Sequence, residues 1–261
     1  YRAGGGTVPP TMLAWQVFGT GMEGLGRDGK PVEIPVYEPG PDQLLARVDA
    51  AGLCFSDIKI LTLGGEHPRL YGRDLQTDPI VMGHEASITV VKVGENLREQ
   101  YHVGQRFVVQ ADAYYKGRNL AFGYMLLGAL QEYTIIGPEL LEGDDGCYLI
   151  PVLPETGYAE AALTEPWACV VCAYRVGPRR ELKQDGTAWV IGTPGSEGIN
   201  YSIGALEYSS TFPRKVYLTD VAPGLSARVR DLCSMAGIAT LATAPLAELD
   251  LDATFSEAGV D

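Results

Sequence analysis

Residues 79–109 read PIVMGHEASITVVKVGENLREQYHVGQRFVV. The runs ASITVVKVG and GQRFVV are rich in β-branched and aromatic side chains, and Gly, Asn and charged residues separate them, which predicts two strands joined by a turn. Ahead of the first run stand His84 and Glu85, a polar pair between apolar stretches in a chain with only three histidines. Outward from here the pattern repeats: QLLARVDAAGL (43–53), LQEYTIIGP (130–138) and GCYLIPVLP (146–154) are further short β-like runs punctuated by Gly, Pro and Asp. Residues 1–178 are therefore predicted to form a partly open β-barrel.

The character changes at YAEAALTEPWACVVCAYR, where apolar residues fall at helical spacing. A buried helix is predicted to begin near Glu165, with Pro166 in its first turn. A polar linker, VGPRRELKQDG, leads to TAWVIG, the glycine turn TPGSEG, the mixed segment INYSIGALEYSSTF, KVYLTD, the helix-like PGLSARVRDLCSMAG and IATLATAP. Strand, turn, helix and strand alternate as in a parallel sheet with crossover helices, so residues 179–261 are predicted to form a dinucleotide-binding unit. Such a sheet normally has two halves and this chain reads as roughly one, which leads us to expect a sequence that is incomplete or completed by a partner.

Composition narrows the function. The chain has 261 residues, of which 46% are hydrophobic, and 33 acidic against 20 basic residues give a net charge of −13. That charge disfavours polyanions such as nucleic acid and anionic membranes. The apolar runs are far shorter than the roughly 20 residues of a membrane span, and the first residues lack the pattern of a secretory signal. Five cysteines is an odd, low count that suits free thiols in a reducing compartment. A cytoplasmic location is the expectation.

Cys54 in GLCFSD, His84 and Glu85 in GHE, and Glu165 in TEPW offer one sulfur, one nitrogen and two carboxylates, a set able to close a mononuclear zinc site while leaving a position for substrate. Asp57 is placed to accept a hydrogen bond from the second ring nitrogen of His84. Ser56 offers a hydroxyl able to pass a proton from a bound alcohol. In VIGTPGSEG, Gly192, Gly195 and Gly198 mark the turn where backbone approaches a pyrophosphate, although their spacing is G-x-x-G-x-x-G rather than G-x-G-x-x-G. Asp220, at the end of KVYLTD, would accept hydrogen bonds from ribose hydroxyls and repel a 2′-phosphate, which favours NAD. Cys169 and Cys172 have the spacing of a redox pair but lie on an apolar helix, so they are read as small buried residues.

Taken in order, GLCFSDIK, PIVMGHEASITVVKVG, GALQEYTII and TEPWACVVCAY resemble the catalytic domain of zinc-dependent medium-chain alcohol and polyol dehydrogenases, over residues 12–261. The resemblance implies an α/β chain: a GroES-like barrel followed by a truncated Rossmann doubly wound sheet. It implies Cys54 and His84 as zinc ligands, Glu85 as a direct or alternating one, and Glu165 as a ligand that acts directly or through water. It also implies NAD, one catalytic zinc, a homo-oligomer and a secondary alcohol or ketone of a polyol, sugar or sugar phosphate as substrate. Two features depart from the family. The segment 110–133 has no cysteines for a structural zinc, and Lys59 stands where relatives often carry a relay histidine. The similarity is strongest to a sugar-phosphate branch such as sorbose-1-phosphate reductase, for which Arg69, Arg73, Lys116 and Arg118 are candidate phosphate contacts. The alternative is a non-catalytic nucleotide-binding or assembly subunit with the same fold.

Overall fold

The computed structural model describes residues 7–176, 181–193, 203–250 and 253. It divides into two compact units, Tyr1–Val170 and Val171–Asp261. In chain order the first contains β1 (Thr11–Ala14), β2 (Gln16–Val17), β3 (Val32–Pro35), β4 (Leu44–Ala51), α1 (Phe55–Leu63), β5 (Ile80–Val81), β6 (Ala86–Val93) and β7 (Arg106–Val109). There follow β8 (Tyr114–Tyr115), β9 (Arg118–Asn119), β10 (Tyr133–Ile136), α2 (Pro138–Leu141), β11 (Leu149–Pro151), α3 (Tyr158–Ala162) and α4 (Thr164–Val176), which runs past the boundary between the units. The second unit holds β12 (Thr187–Ile191), α5 (Gly204–Glu207), β13 (Lys215–Thr219), α6 (Pro223–Met235) and β14 (Ala239–Ala242).

The central element of the first unit is an antiparallel sheet of order β10-β4-β6-β7-β11. Its strands pair as their sequences require: Arg47 faces Thr89 and Thr89 faces Arg106 across β4, β6 and β7, while Leu44, Ala46, Ile88, Val90, Phe107 and Val109 enter one core. Register shifts in β4 at Leu45/Ala46 and Val48/Ala50 mark bulges, which bend a sheet towards a barrel. Three two-stranded ladders, β1-β3, β2-β5 and β8-β9, extend the architecture without joining the main ladder, so the barrel is only partly closed. Ile88 is fully buried at the centre of this sheet. Ile88→Ala is expected to lower stability by about 2–5 kcal/mol, read as a shift in denaturant midpoint, through lost burial and the cavity left behind.

A second cluster, including Val17, Ile60, Leu61, Leu70, Ile80, Met82 and Tyr124, lies under α1. It places the start of that helix beside the segment leading into β6. Gly83 sits at this junction with φ of 90°, where a side chain would press against the Leu130 side chain and backbone.

The second unit is a parallel sheet of order β12-β13-β14, with α6 crossing from β13 to β14 and Val216, Leu218, Val229 and Cys233 in its core. This is the predicted alternation. Gly195, Gly198, most of the linker's VGPRR and most of the final LDATFSEAGVD lie outside the described residues. No described helix is long and apolar enough to cross a membrane.

The expectation that α4 is buried is overturned. Trp167, Val170 and Val171 are exposed, as are Cys169 and Cys172, so the two thiols are not small core residues. Periodicity marks which side chains are apolar, not whether anything covers them.

Candidate metal centre

Two chain segments far apart in sequence meet through one buried carboxylate. Asp57, the third residue of α1, is only 3% exposed. One of its oxygens accepts the backbone N–H of Cys54 at 2.9 Å, capping the helix, and the other accepts the N–H of Gly83 at 3.2 Å. The first bond fixes the residue that carries the thiol; the second fixes the backbone next to His84.

With these segments locked, one donor atom each of Cys54, His84 and Glu85 lies within 4.8 Å of the others. His84 and Glu85 are buried and Cys54 is partly so. The predicted hydrogen bond from His84 to Asp57 does not form: Nδ1 of His84 is 3.8 Å from the Asp57 carboxylate and has no hydrogen-bond partner although it is buried. Asp57 reaches the centre through backbone contacts instead, because the helix cap and Gly83 engage both its oxygens.

The electrostatics point the same way. Burial pushes the Glu85 carboxyl above the usual carboxylate range, and the charge of Glu165 raises it further. Glu165 lines the same cavity of about 290 Å³ as Cys54, Ser56, His84 and Glu85 but stands outside their tight set. Its Oε1 accepts from the Cys169 thiol at 3.6 Å, one helical turn along α4. The Cys169 thiol is itself pushed up, by burial and then by Glu165. A thiol, a buried imidazole with an orphaned nitrogen and crowded carboxylates fit a divalent cation of intermediate softness, and zinc suits this mixed S, N and O donor set.

A raised carboxyl disfavours the charged form in the folded state. The stabilising contribution of Glu85 is therefore present in full below its unfolded value and lost as pH rises through its folded value. Glu85→Gln is accordingly expected to raise the melting temperature of the metal-free chain at pH 7 while weakening zinc binding. Melting curves and a chelator competition read the two opposite effects.

Around this set the cavity has features that the sequence reading missed. Tyr124 is buried, with its ring 6.0 Å from that of His84 and 5.4 Å from that of His67. Burial pushes its phenol up. His67 accepts the Arg69 backbone N–H on Nδ1 at 3.2 Å, and burial, then the charges of Arg69 and Lys59, holds its imidazole below the usual histidine range. Asp112 lines the cavity and pairs with Arg69 at 2.6 Å. A single tyrosine in a loop and an aspartate after a strand carry no sequence signature, so spacing alone could not have found them. Ser56 lines the same cavity, its Oγ 3.7 Å from the Cys54 sulfur. Lys59 does not line the cavity; its ammonium stacks on Phe55.

Of the candidate phosphate contacts only Arg69 reaches the cavity. Arg73 bonds Asp78 and the Met125 carbonyl, while Lys116 and Arg118 lie over the rings of Tyr115 and Tyr71.

In the second unit, Gly192 and Thr193 follow β12 and line a cavity of about 360 Å³ with Val190, Ile203, Ala222 and Leu225. A side chain at Gly192 would meet the Asp220 carbonyl at 2.2 Å, so close packing of the two strand ends by itself requires glycine here. Asp220 directly follows β13, and one of its oxygens accepts the Leu246 N–H at 2.9 Å.

Known proteins resemble this chain in sequence and in fold. Residues 40–141 match the alcohol dehydrogenase GroES-like domain. The chain is 31% identical to mannitol-1-phosphate 5-dehydrogenase of Aliivibrio fischeri over 210 residues, 74% of this chain and 47% of that protein. It is 31% identical to L-sorbose 1-phosphate reductase of Klebsiella pneumoniae over 135 residues, 51% of this chain and 32% of that one. The chain thus spans at most about half the length of these relatives. In structure it matches 2R,3R-butanediol dehydrogenase from Bacillus subtilis with a TM-score of 0.56 at 22% identity, over 95% of this chain and 67% of the other. Residues 40–141 thus match the alcohol dehydrogenase GroES-like domain, and the chain that contains them shares the fold of 2R,3R-butanediol dehydrogenase.

Proposed function

We propose that the chain holds one zinc ion through Cys54, His84 and Glu85, with Glu165 reaching it directly or through water. We further propose that, with NAD, it interconverts a secondary alcohol and a ketone on a polyol, sugar or sugar phosphate. The observation that carries this reading is the convergence of a thiol, an imidazole and a carboxylate within 4.8 Å at the wall of a cavity that also presents Ser56. When bound, zinc acts as a Lewis acid, polarising a carbonyl oxygen and easing loss of an alcohol proton.

The chain's own groups supply the rest. The Ser56 hydroxyl accepts the proton from the substrate hydroxyl and passes it on, a role that needs a neutral, rotatable donor and acceptor rather than the charged Lys59. Tyr124 covers one side of the cavity and excludes water from it. Gly192, at the end of β12, admits the pyrophosphate of the cofactor, and the Asp220 carboxylate accepts a ribose hydroxyl, which selects NAD over its 2′-phosphorylated form. The mannitol-1-phosphate and L-sorbose 1-phosphate relatives support the substrate class.

Metal analysis of the purified chain, paired with fluorescence titration of NADH, tests the reading. One zinc per chain and saturable NADH binding are expected. Absence of zinc after growth in zinc-supplemented medium refutes the metal site, and binding of both without oxidation of any polyol or polyol phosphate refutes the catalytic assignment.

A further inference from the structure

The cavity carries several acidic groups and, among its described lining side chains, a single formal cation, Arg69. Arg69 belongs to the short turn Pro68–Leu70, with its guanidinium carbon 5.4 Å from the Tyr124 ring centroid. The Tyr124 ring is in turn 6.0 Å from that of His84, so the guanidinium stands about one aromatic ring away from the proposed ligands. Its ion pair with Asp112 leaves both side chains about half exposed. Exposed pairs of this kind contribute at most about 1 kcal/mol, so exchange of partner is cheap. A phosphate monoester offers the guanidinium two parallel charge-assisted hydrogen bonds, a stronger partner than one carboxylate oxygen.

We propose that Arg69 reads the charge at the far end of the substrate: its guanidinium exchanges Asp112 for the phosphate of a polyol monophosphate whose carbinol end faces Cys54 and His84. Asp112 is the placeholder that keeps Arg69 extended over Tyr124 until phosphate arrives. The three other basic residues suggested by the sequence have no part in it, since Arg73 is committed to Asp78 and the Met125 carbonyl, and neither Lys116 nor Arg118 lines the cavity. The inference rests on the sugar-phosphate form of the proposed function and selects it over the uncharged polyols.

Calorimetric titration of the zinc-loaded chain with a hexitol 1-phosphate and with the parent hexitol tests it without requiring turnover. The phosphate should bind at least tenfold more tightly than the hexitol. Arg69→Gln should erase that difference, Arg69→Lys should keep part of it, and Asp112→Asn should enlarge it. The double variant Lys116→Gln/Arg118→Gln should behave as the parent chain. Equal affinity for the two compounds, absence of binding by both, or a preference that survives in Arg69→Gln overturns the proposal. Zinc content measured on the same samples shows separately whether the metal site stands, and unchanged melting of the Arg69 variants shows that the exposed substitution leaves the fold intact.

Discussion

Cys54→Ala is expected to remove zinc from the chain while leaving it folded. The cap of α1 uses the backbone N–H of Cys54 and the Asp57 carboxylate, so deleting the thiol does not disturb the helix start. What it removes is the sulfur donor of the proposed ligand set, and with a buried imidazole and a carboxylate left that set loses its softest ligand. Zinc affinity should fall by more than the roughly 10–100-fold that follows loss of a group supporting a ligand. Alcohol oxidation should fall with it. Competition with a chromogenic chelator measures the first effect, and circular dichroism confirms the fold. Zinc retained at near-parental affinity would remove Cys54 from the ligand set.

Asp57→Ala should act on both stability and metal. The carboxylate is buried and satisfies two backbone N–H groups from different segments, those of Cys54 and Gly83. Each donor left without a partner costs about 1–3 kcal/mol, so a loss of about 2–6 kcal/mol is expected, together with a 10–100-fold drop in zinc affinity as the two segments separate. Asp57→Asn keeps the shape and one acceptor and should recover part of each. Denaturant melts and chelator competition measure the pair. A variant that lost stability but bound zinc as before would show that Asp57 holds the fold and not the centre.

The architecture was legible in the sequence because strand and helix periodicities survive without knowledge of partners: β6, β7, β13 and α6 fall inside the stretches that read as strand or helix. The residues that converge were legible for a different reason. Cys54, His84 and Glu85 are chemically unusual in their local contexts, and their resemblance to a family motif gave them an order. What the residues alone could not supply was the link between them. The contact from Asp57 runs to Gly83 rather than to His84, because a helix-capping carboxylate is already committed to a backbone direction. The exposure of Cys169 and Trp167 was likewise hidden, since an apolar helical pattern reads the same whether or not another surface lies against it. The resemblance offers four basic residues as candidate phosphate contacts, yet folding sends three of them to carboxylate, carbonyl and aromatic partners, and of the four Arg69 lines the cavity.

X-ray absorption at the zinc edge of the purified chain examines the ligand set itself. A first shell of one sulfur at about 2.3 Å and two or three nitrogen or oxygen atoms at about 2.0–2.2 Å is expected, with the sulfur contribution lost in Cys54→Ala. A shell with no sulfur, a shell of several sulfurs, or a spectrum indifferent to the Cys54 substitution would contradict the assignment of the centre to Cys54, His84 and Glu85.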